Sequence, residues 1–218
     1  YAAEIKSILA LFQTDLKEID DSIISSVVPP VFNSVRTGII KLTHKEPIVV
    51  GPGIKTGLNI QMDDPASVGS DLIVAAVAAV QDYQPPLIII DMGTATTVCA
   101  IGRGNTYLGG VVIPGIRVSA DSLTHSTALL PGIQLDRPKR AICKNTVDAI
   151  RAGVMFSAAD TLDGMIRRFE AELGEPATVI ATGGIAQFVV PLCQRTMILE
   201  KDLLLKGMNY LYHKNKKH

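Results

Sequence analysis

Between positions 87 and 97 the chain reads Leu87-Ile-Ile-Ile-Asp-Met-Gly-Thr-Ala-Thr-Thr97, a hydrophobic run that ends in a carboxylate and turns through one glycine into three threonines. That order of residue types suits a phosphate. Backbone N–H groups and threonine hydroxyls such as those of Thr94 and Thr96 donate to phosphoryl oxygens. Gly93 lets the backbone come close, and Asp91 at the strand end can hold the cation that phosphates bring with them. The plain alternative is a β-hairpin whose threonines favour strands and whose Asp91 caps a turn. A second glycine site, Ala181-Thr-Gly-Gly-Ile-Ala186, sets Gly183 and Gly184 between a strand and a helix. Helix-terminal N–H groups there could face an anion or an adenosine moiety; an ordinary tight turn accounts for the same residues. A third candidate, Asp71 in Gly69-Ser-Asp-Leu72, opens a helical segment, and on the residues alone it is a cap acid stabilised by the helix dipole.

Around these groups the hydrophobic pattern predicts the elements that must position them. Ile5, Ile8, Leu9 and Phe12 make a helical stripe over 3–12. A β-branched run over 23–28 reads as a strand stopped by Pro29-Pro30, followed by a helix over 31–42. Residues 47–50 read as a buried strand delivered into the glycine-bearing loop Gly51-Pro-Gly-Ile-Lys-Thr-Gly57. A helix is predicted over 68–83, with Asp71 in its first turn. After Pro85-Pro86 the pattern changes to a meander of antiparallel strands over 87–91, 98–102 and 107–113. Helices over 116–129 and 146–173, a strand over 178–181 and a helix over 203–212 complete the chain. The prediction is an α/β protein, and the proline pair sets a domain boundary between residues 1–84 and 85–218.

The composition agrees and excludes several classes of function. The 218 residues suffice for a sizeable core, and 47% are hydrophobic with 5% aromatic and no Trp, the mixture of buried sheets covered by helices. Twenty-one basic side chains balance 21 acidic ones, so no global field draws in nucleic acid or an anionic membrane. The tail from Lys214 to His218 reads as a solvated end rather than a nucleic-acid patch. The apolar run near 72–80 is Ala-rich and too short to span a bilayer, and no signal peptide is visible. Cys99, Cys143 and Cys193 are widely spaced and form no C-x-x-C pair, so neither a disulfide framework nor a zinc site is indicated and a reducing cytoplasm is expected. Among the histidines, only His125, beside the 114–130 segment, draws notice.

The order of Asp91-Met-Gly-Thr-Ala-Thr-Thr97, Tyr107-Leu-Gly-Gly110, Pro114-Gly-Ile-Arg117, Lys144-Asn-Thr146 and Ala181-Thr-Gly-Gly184 resembles the type III pantothenate kinase family. Upstream, Ser25-Ser-Val-Val-Pro-Pro30, Gly51 to Gly57 and Gly69-Ser-Asp71 fit the same family. Each motif is short; their order and their spread over nearly the whole chain carry the resemblance. It implies two ribonuclease-H-like α/β halves with ATP in the cleft, as in the acetate kinase, sugar kinase, Hsp70 and actin superfamily. It also implies a homodimer that phosphorylates pantothenate in the first step of coenzyme A synthesis, using ATP with Mg2+ and a monovalent cation, K+ or NH4+.

Carried over by residue, the resemblance makes Asp91 the cation ligand, Thr94 an ATP contact, and Gly93 and Thr96 the shapers of the phosphate turn, with Gly183 and Gly184 on the nucleotide. Asp71 becomes the general base that takes the proton of the substrate hydroxyl. Gly69, Ser70, Leu72, Met62 and Thr146 fall at pantothenate-facing positions, Thr146 across a dimer interface. Three departures stand out. No Asp-x-Gly-Asn-Thr loop precedes Glu4, so the first half is expected to lack its opening strands in this chain. Leu72 stands where the family has an Arg, and Met62 where it has a Tyr. The retained Asp71, Asp91, Thr94, Gly183 and Gly184 favour a kinase. The departures favour a catalytically impaired relative acting as a dimeric binding or regulatory protein.

Overall fold

The computed structural model describes residues 1–125 and 133–216. The chain runs α1 (Ala2–Leu11), β1 (Ile23–Ile24), α2 (Pro29–Thr43), β2 (Ile48–Val49), β3 (Asn59–Ile60), α3 (Ser70–Asp82), β4 (Leu87–Met92), β5 (Ala95–Gly102), β6 (Thr106–Pro114) and α4 (Ile116–His125). It continues through α5 (Thr146–Leu173), β7 (Thr178–Thr182), α6 (Ala186–Val189), β8 (Ile198–Leu199) and α7 (Leu203–Asn215). This is an α/β fold with a mixed sheet. Two compact units emerge, one of residues 1–57, 64–78 and 204–218, the other of residues 58–63 and 79–203. The sequence pattern cut the chain once, after residue 84; in the structure α7 belongs with the first unit.

The second unit is built on a six-stranded sheet in the order β3-β6-β5-β4-β7-β8. The predicted meander is present: β4 pairs antiparallel with β5, and β5 antiparallel with β6. β7 joins β4 in parallel, and β8 joins β7 in parallel. β4 is therefore an inner strand, which explains its unbroken apolar run, since both faces are covered. Leu87, Ile88 and Ile90 are fully buried, each stabilising the fold by about 1.5 to 3 kcal/mol. Ile88, Ile90 and Met92 share a core with Met155, Leu162 and Ile166 of α5.

The helix α5 begins where the sequence pattern places it. The Asn145 side chain accepts a hydrogen bond from the Asp148 N–H at 2.9 Å, satisfying one of the donors that a helix start leaves open. Asn145→Ala is expected to lower stability by about 1 kcal/mol, read as a shifted urea midpoint with an unchanged slope. The expected continuation of α4 to residue 129 lies outside the described residues, as do the last two residues of the C-terminal tail.

In the first unit the strands are shorter than their sequence suggests. β1 and β2 pair in parallel over two residues each, Ile23 with Ile48 and Ile24 with Val49. Pro29 and Pro30 do not stop a strand but open α2 at its first positions, where a missing N–H costs nothing and a fixed φ is already helical. At the other end of the unit, Asn215 of α7 grips the glycine-bearing loop. Its Oδ1 accepts from the Lys55 N–H at 2.9 Å, and its Nδ2 donates to the Lys55 carbonyl at 3.0 Å. Among the described residues no helix is long and apolar enough to cross a membrane.

Candidate active site

At the carboxyl end of β4, three backbone segments of the second unit converge. Asp91 lies in the ladder between Thr97 of β5 and Thr182 of β7 and is half-buried. The chain then reverses through Gly93, Thr94 and Ala95, all exposed, with the Gly93 N–H donating to the Ala95 carbonyl at 3.1 Å. Gly115, just past β6, presses on this turn. A Cβ there would lie 2.0 Å from the Thr94 carbonyl oxygen and 2.8 Å from that of Gly93. Gly183, just past β7, has a φ of +98°, and a Cβ on it would lie 2.6 Å from the Met92 carbonyl oxygen. Only glycine permits either approach. Gly93, Thr94 and Gly183 thus share one corner, and Gly184 stands open beside Gly183.

The neighbouring side chains differ in availability. The expectation ran a turn from Gly93 up to a strand beginning at 98, but β5 starts at Ala95 and Thr96 lies in the ladder opposite Ile113. Thr96 is 4% exposed and lines a cavity of about 450 Å³ with Met92, Ser119, Ser157 and Thr161. Cys99, further along β5, is buried, and its thiol is pushed up to about 12. Burial is the main cause and the Asp91 charge adds to it, while a hydrogen bond with Tyr107 works the other way. Cys99 therefore stays a protonated core residue.

Asp71 belongs to the first unit. It sits in the first turn of α3, half-buried, with its Oδ1 accepting from the Leu72 N–H at 2.9 Å. A Cβ on Gly69 would lie 2.5 Å from that oxygen, so glycine leaves the carboxylate its room. Asp71 opens onto a pocket of about 280 Å³ lined also by Ser25, Ser26, Val28, Leu204 and Met208. Ser25 Oγ donates to Ser70 Oγ at 3.0 Å. A carboxylate beside hydroxyl and aliphatic groups in such a pocket is placed to accept a proton from a bound hydroxyl group.

The remaining candidates are spread over the molecule. Leu72 is half-buried and supplies its backbone N–H to Asp71. Met62 belongs to the second unit, where its Sδ lies 3.2 Å from a Cβ placed on Gly109 of β6. Thr146 is exposed at the start of α5, and Asn145 rather than Thr146 provides the cap.

The family sequence model described as type III pantothenate kinase matches residues 1–168. A type III pantothenate kinase of Geobacillus sp. (strain WCH70) is 44% identical over 215 residues, covering 99% of this chain and 83% of the relative. That of Halalkalibacterium halodurans is 40% identical over 215 residues, covering 99% and 85%. The chain belongs to the type III pantothenate kinase family. In fold it is similar to a Campylobacter jejuni protein described as a conserved Baf family transcriptional activator. That likeness has a TM-score of 0.61 at 22% identity and covers 92% of this chain and 86% of the other.

Two features of this family member's site were missed in the sequence, and only the second had a local signal. Leu204 and Met208 line the Asp71 pocket from α7, more than a hundred residues away in sequence, where the apolar stripe predicts only a helix. Gly115 had a signal, a Pro-Gly pair after a strand, but only the fold shows which turn it presses on. Among the described residues no three His, Cys, Asp or Glu side chains come together in a metal-binding group. A strand-end carboxylate beside an exposed turn, such as Asp91, fits a hard cation that takes most of its oxygens from phosphate and water.

Proposed function

We propose that the protein transfers the terminal phosphoryl group of ATP to the primary hydroxyl of pantothenate, giving 4'-phosphopantothenate in the first step of coenzyme A synthesis. Identity of 44% to a type III pantothenate kinase over 99% of the chain is the observation that carries this reading. The second unit's topology, an antiparallel meander followed by parallel strands, supports reading it as a ribonuclease-H-like half with a nucleotide at the corner of Gly93, Thr94, Gly183 and Gly184. The first unit is read as the partner half, with β1 and β2 as the strands it retains.

In this reading Asp71 accepts the hydroxyl proton as the oxygen attacks phosphorus, and the Ser25–Ser70 pair fixes the start of α3 from which Asp71 projects. The amide groups of the 93–95 turn and the Thr94 hydroxyl donate to phosphate oxygens. Asp91 would hold a cation, Mg2+ with the nucleotide or a monovalent K+ or NH4+; such an ion neutralises charge on the transferring phosphate. Thr96, buried in the ladder, serves the turn by anchoring it. Pantothenate contacts are assigned to Gly69, Ser70, Asp71, Leu72, Met62 and Thr146.

The substrate's carboxylate has no guanidinium at position 72. A charge-assisted hydrogen bond contributes roughly 1.5 to 3 kcal/mol, so Leu72→Arg is expected to tighten pantothenate by about one to two decades. Calorimetric titration of pantothenate with an ATP analogue present reads this directly, and unchanged affinity would mean that another cation already holds the carboxylate.

We read the assembly as a homodimer in the cytoplasm. α5 buries Ile150, Met155, Leu162 and Ile166. Its Gly153, Val154 and Ala158, together with Ile150 and Leu162, line the 450 Å³ cavity beside α4, a groove that a second copy would cover. Light scattering at micromolar concentration is expected to give the dimer mass, and a monomer would remove any site shared between subunits.

A further inference from the structure

Near the start of α5 the second unit holds a cavity of about 320 Å³ lined mostly by charged residues. Arg137, Lys139, Arg140 and Arg151 line it together with Asp136 and Asp148. The acidic side is largely committed. Asp148 Oδ1 takes a hydrogen bond from Arg151 Nη1 at 3.0 Å and Asp148 Oδ2 one from Asn145 Nδ2 at 2.7 Å, while Arg151 Nε donates to the Gln134 carbonyl at 3.1 Å. Arg151 is thereby held in one orientation with its charge already paired. Among the described residues, Arg137, Lys139 and Arg140 have no ion-pair partner, so three cations remain against the single carboxylate of Asp136. The segment carrying them is folded rather than splayed: Pro138 is buried, and the Cys143 thiol donates to the Arg140 carbonyl at 3.3 Å. In a chain whose net charge is +0, like charges gathered on the wall of a cavity repel one another unless an anion joins them.

We propose that this cavity binds a phosphate group. Its surplus of two positive charges matches a dianion, and guanidinium groups meet phosphate oxygens with paired N–H donors as they meet no singly charged halide. The site is separate from the corner formed by Gly93, Thr94 and Gly183, and it stands whether or not the kinase reading does. A phosphate held there ties residues 136–140 to the N-terminal part of α5 through Arg151.

The probes are inorganic phosphate and glycerol 3-phosphate, titrated calorimetrically into the full chain at constant low ionic strength. Saturable one-site binding of at least one of them is expected; preference for the second identifies an organic phosphate monoester as the source. The double change Arg137→Gln with Arg140→Gln is expected to weaken binding tenfold or more. Lys139→Gln, an exposed single change that leaves the Arg140–Cys143 turn in place, should weaken it at least threefold, so the proposal remains testable if the double variant does not fold. Lys17→Gln and Lys41→Gln, exposed changes in the first unit, should leave affinity within twofold. No saturable binding of either probe, or equal losses in the Lys17 or Lys41 controls, overturns the site.

Discussion

Asp71→Asn is expected to lower turnover about 10²- to 10⁴-fold, the usual worth of a positioned general base, while nucleotide affinity changes little. Asparagine keeps the shape and can still accept the Leu72 N–H through its carbonyl, so the cap at the start of α3 survives. What it loses is the capacity to take a proton. The two roles of Asp71 therefore separate in one variant: thermal unfolding should move by no more than a cap's worth, and turnover should collapse. Turnover within threefold of the parent would leave Asp71 a cap and nothing more.

Gly183→Ala is expected to be the most damaging small change in the second unit. The added methyl group meets Met92 backbone atoms at 2.6 to 2.7 Å, and the φ of +98° is one that L side chains rarely adopt. Strained backbone costs roughly 1 to 3 kcal/mol and overpacking about as much again, so a loss of about 2 to 5 kcal/mol is expected by urea unfolding. Because relief of the clash must push Met92, and with it the turn after Asp91, nucleotide binding should fall as well. Gly184→Ala, where nothing lies within 4 Å of the added carbon, is the control and should cost less than about 1 kcal/mol.

The contrast between these two glycines shows what the sequence could and could not reveal. Gly183 and Gly184 are indistinguishable as letters, and only the pairing of β7 with β4 tells which one touches Met92. β4 to β7 and α5 were legible because long apolar or amphipathic runs there are bounded by glycine, proline and a good cap. β3 and β8, two residues each, carry no pattern and exist only because a sheet edge offers them a partner. Pro29-Pro30 was misread because proline forbids a ladder and favours a helix start, and local residues do not say which applies. Within the Asp91 to Thr97 stretch the strand boundary was not legible: Thr96 has the residue type of a phosphate donor and the burial of a strand residue. On its residue type and position alone Asp71 was legible only as a cap, its role as a base coming from the family resemblance, because the pocket it opens onto is completed by α7, which the chain reaches last.

The central claim is that this chain phosphorylates pantothenate, and phosphorus NMR of the full-length protein with MgATP, K+ and pantothenate tests it most directly. The account predicts a new phosphomonoester resonance growing in step with ADP, absent without pantothenate and nearly lost in Asp71→Asn. Binding of nucleotide and pantothenate with no phosphomonoester formed, or ADP released equally with and without pantothenate, would contradict it.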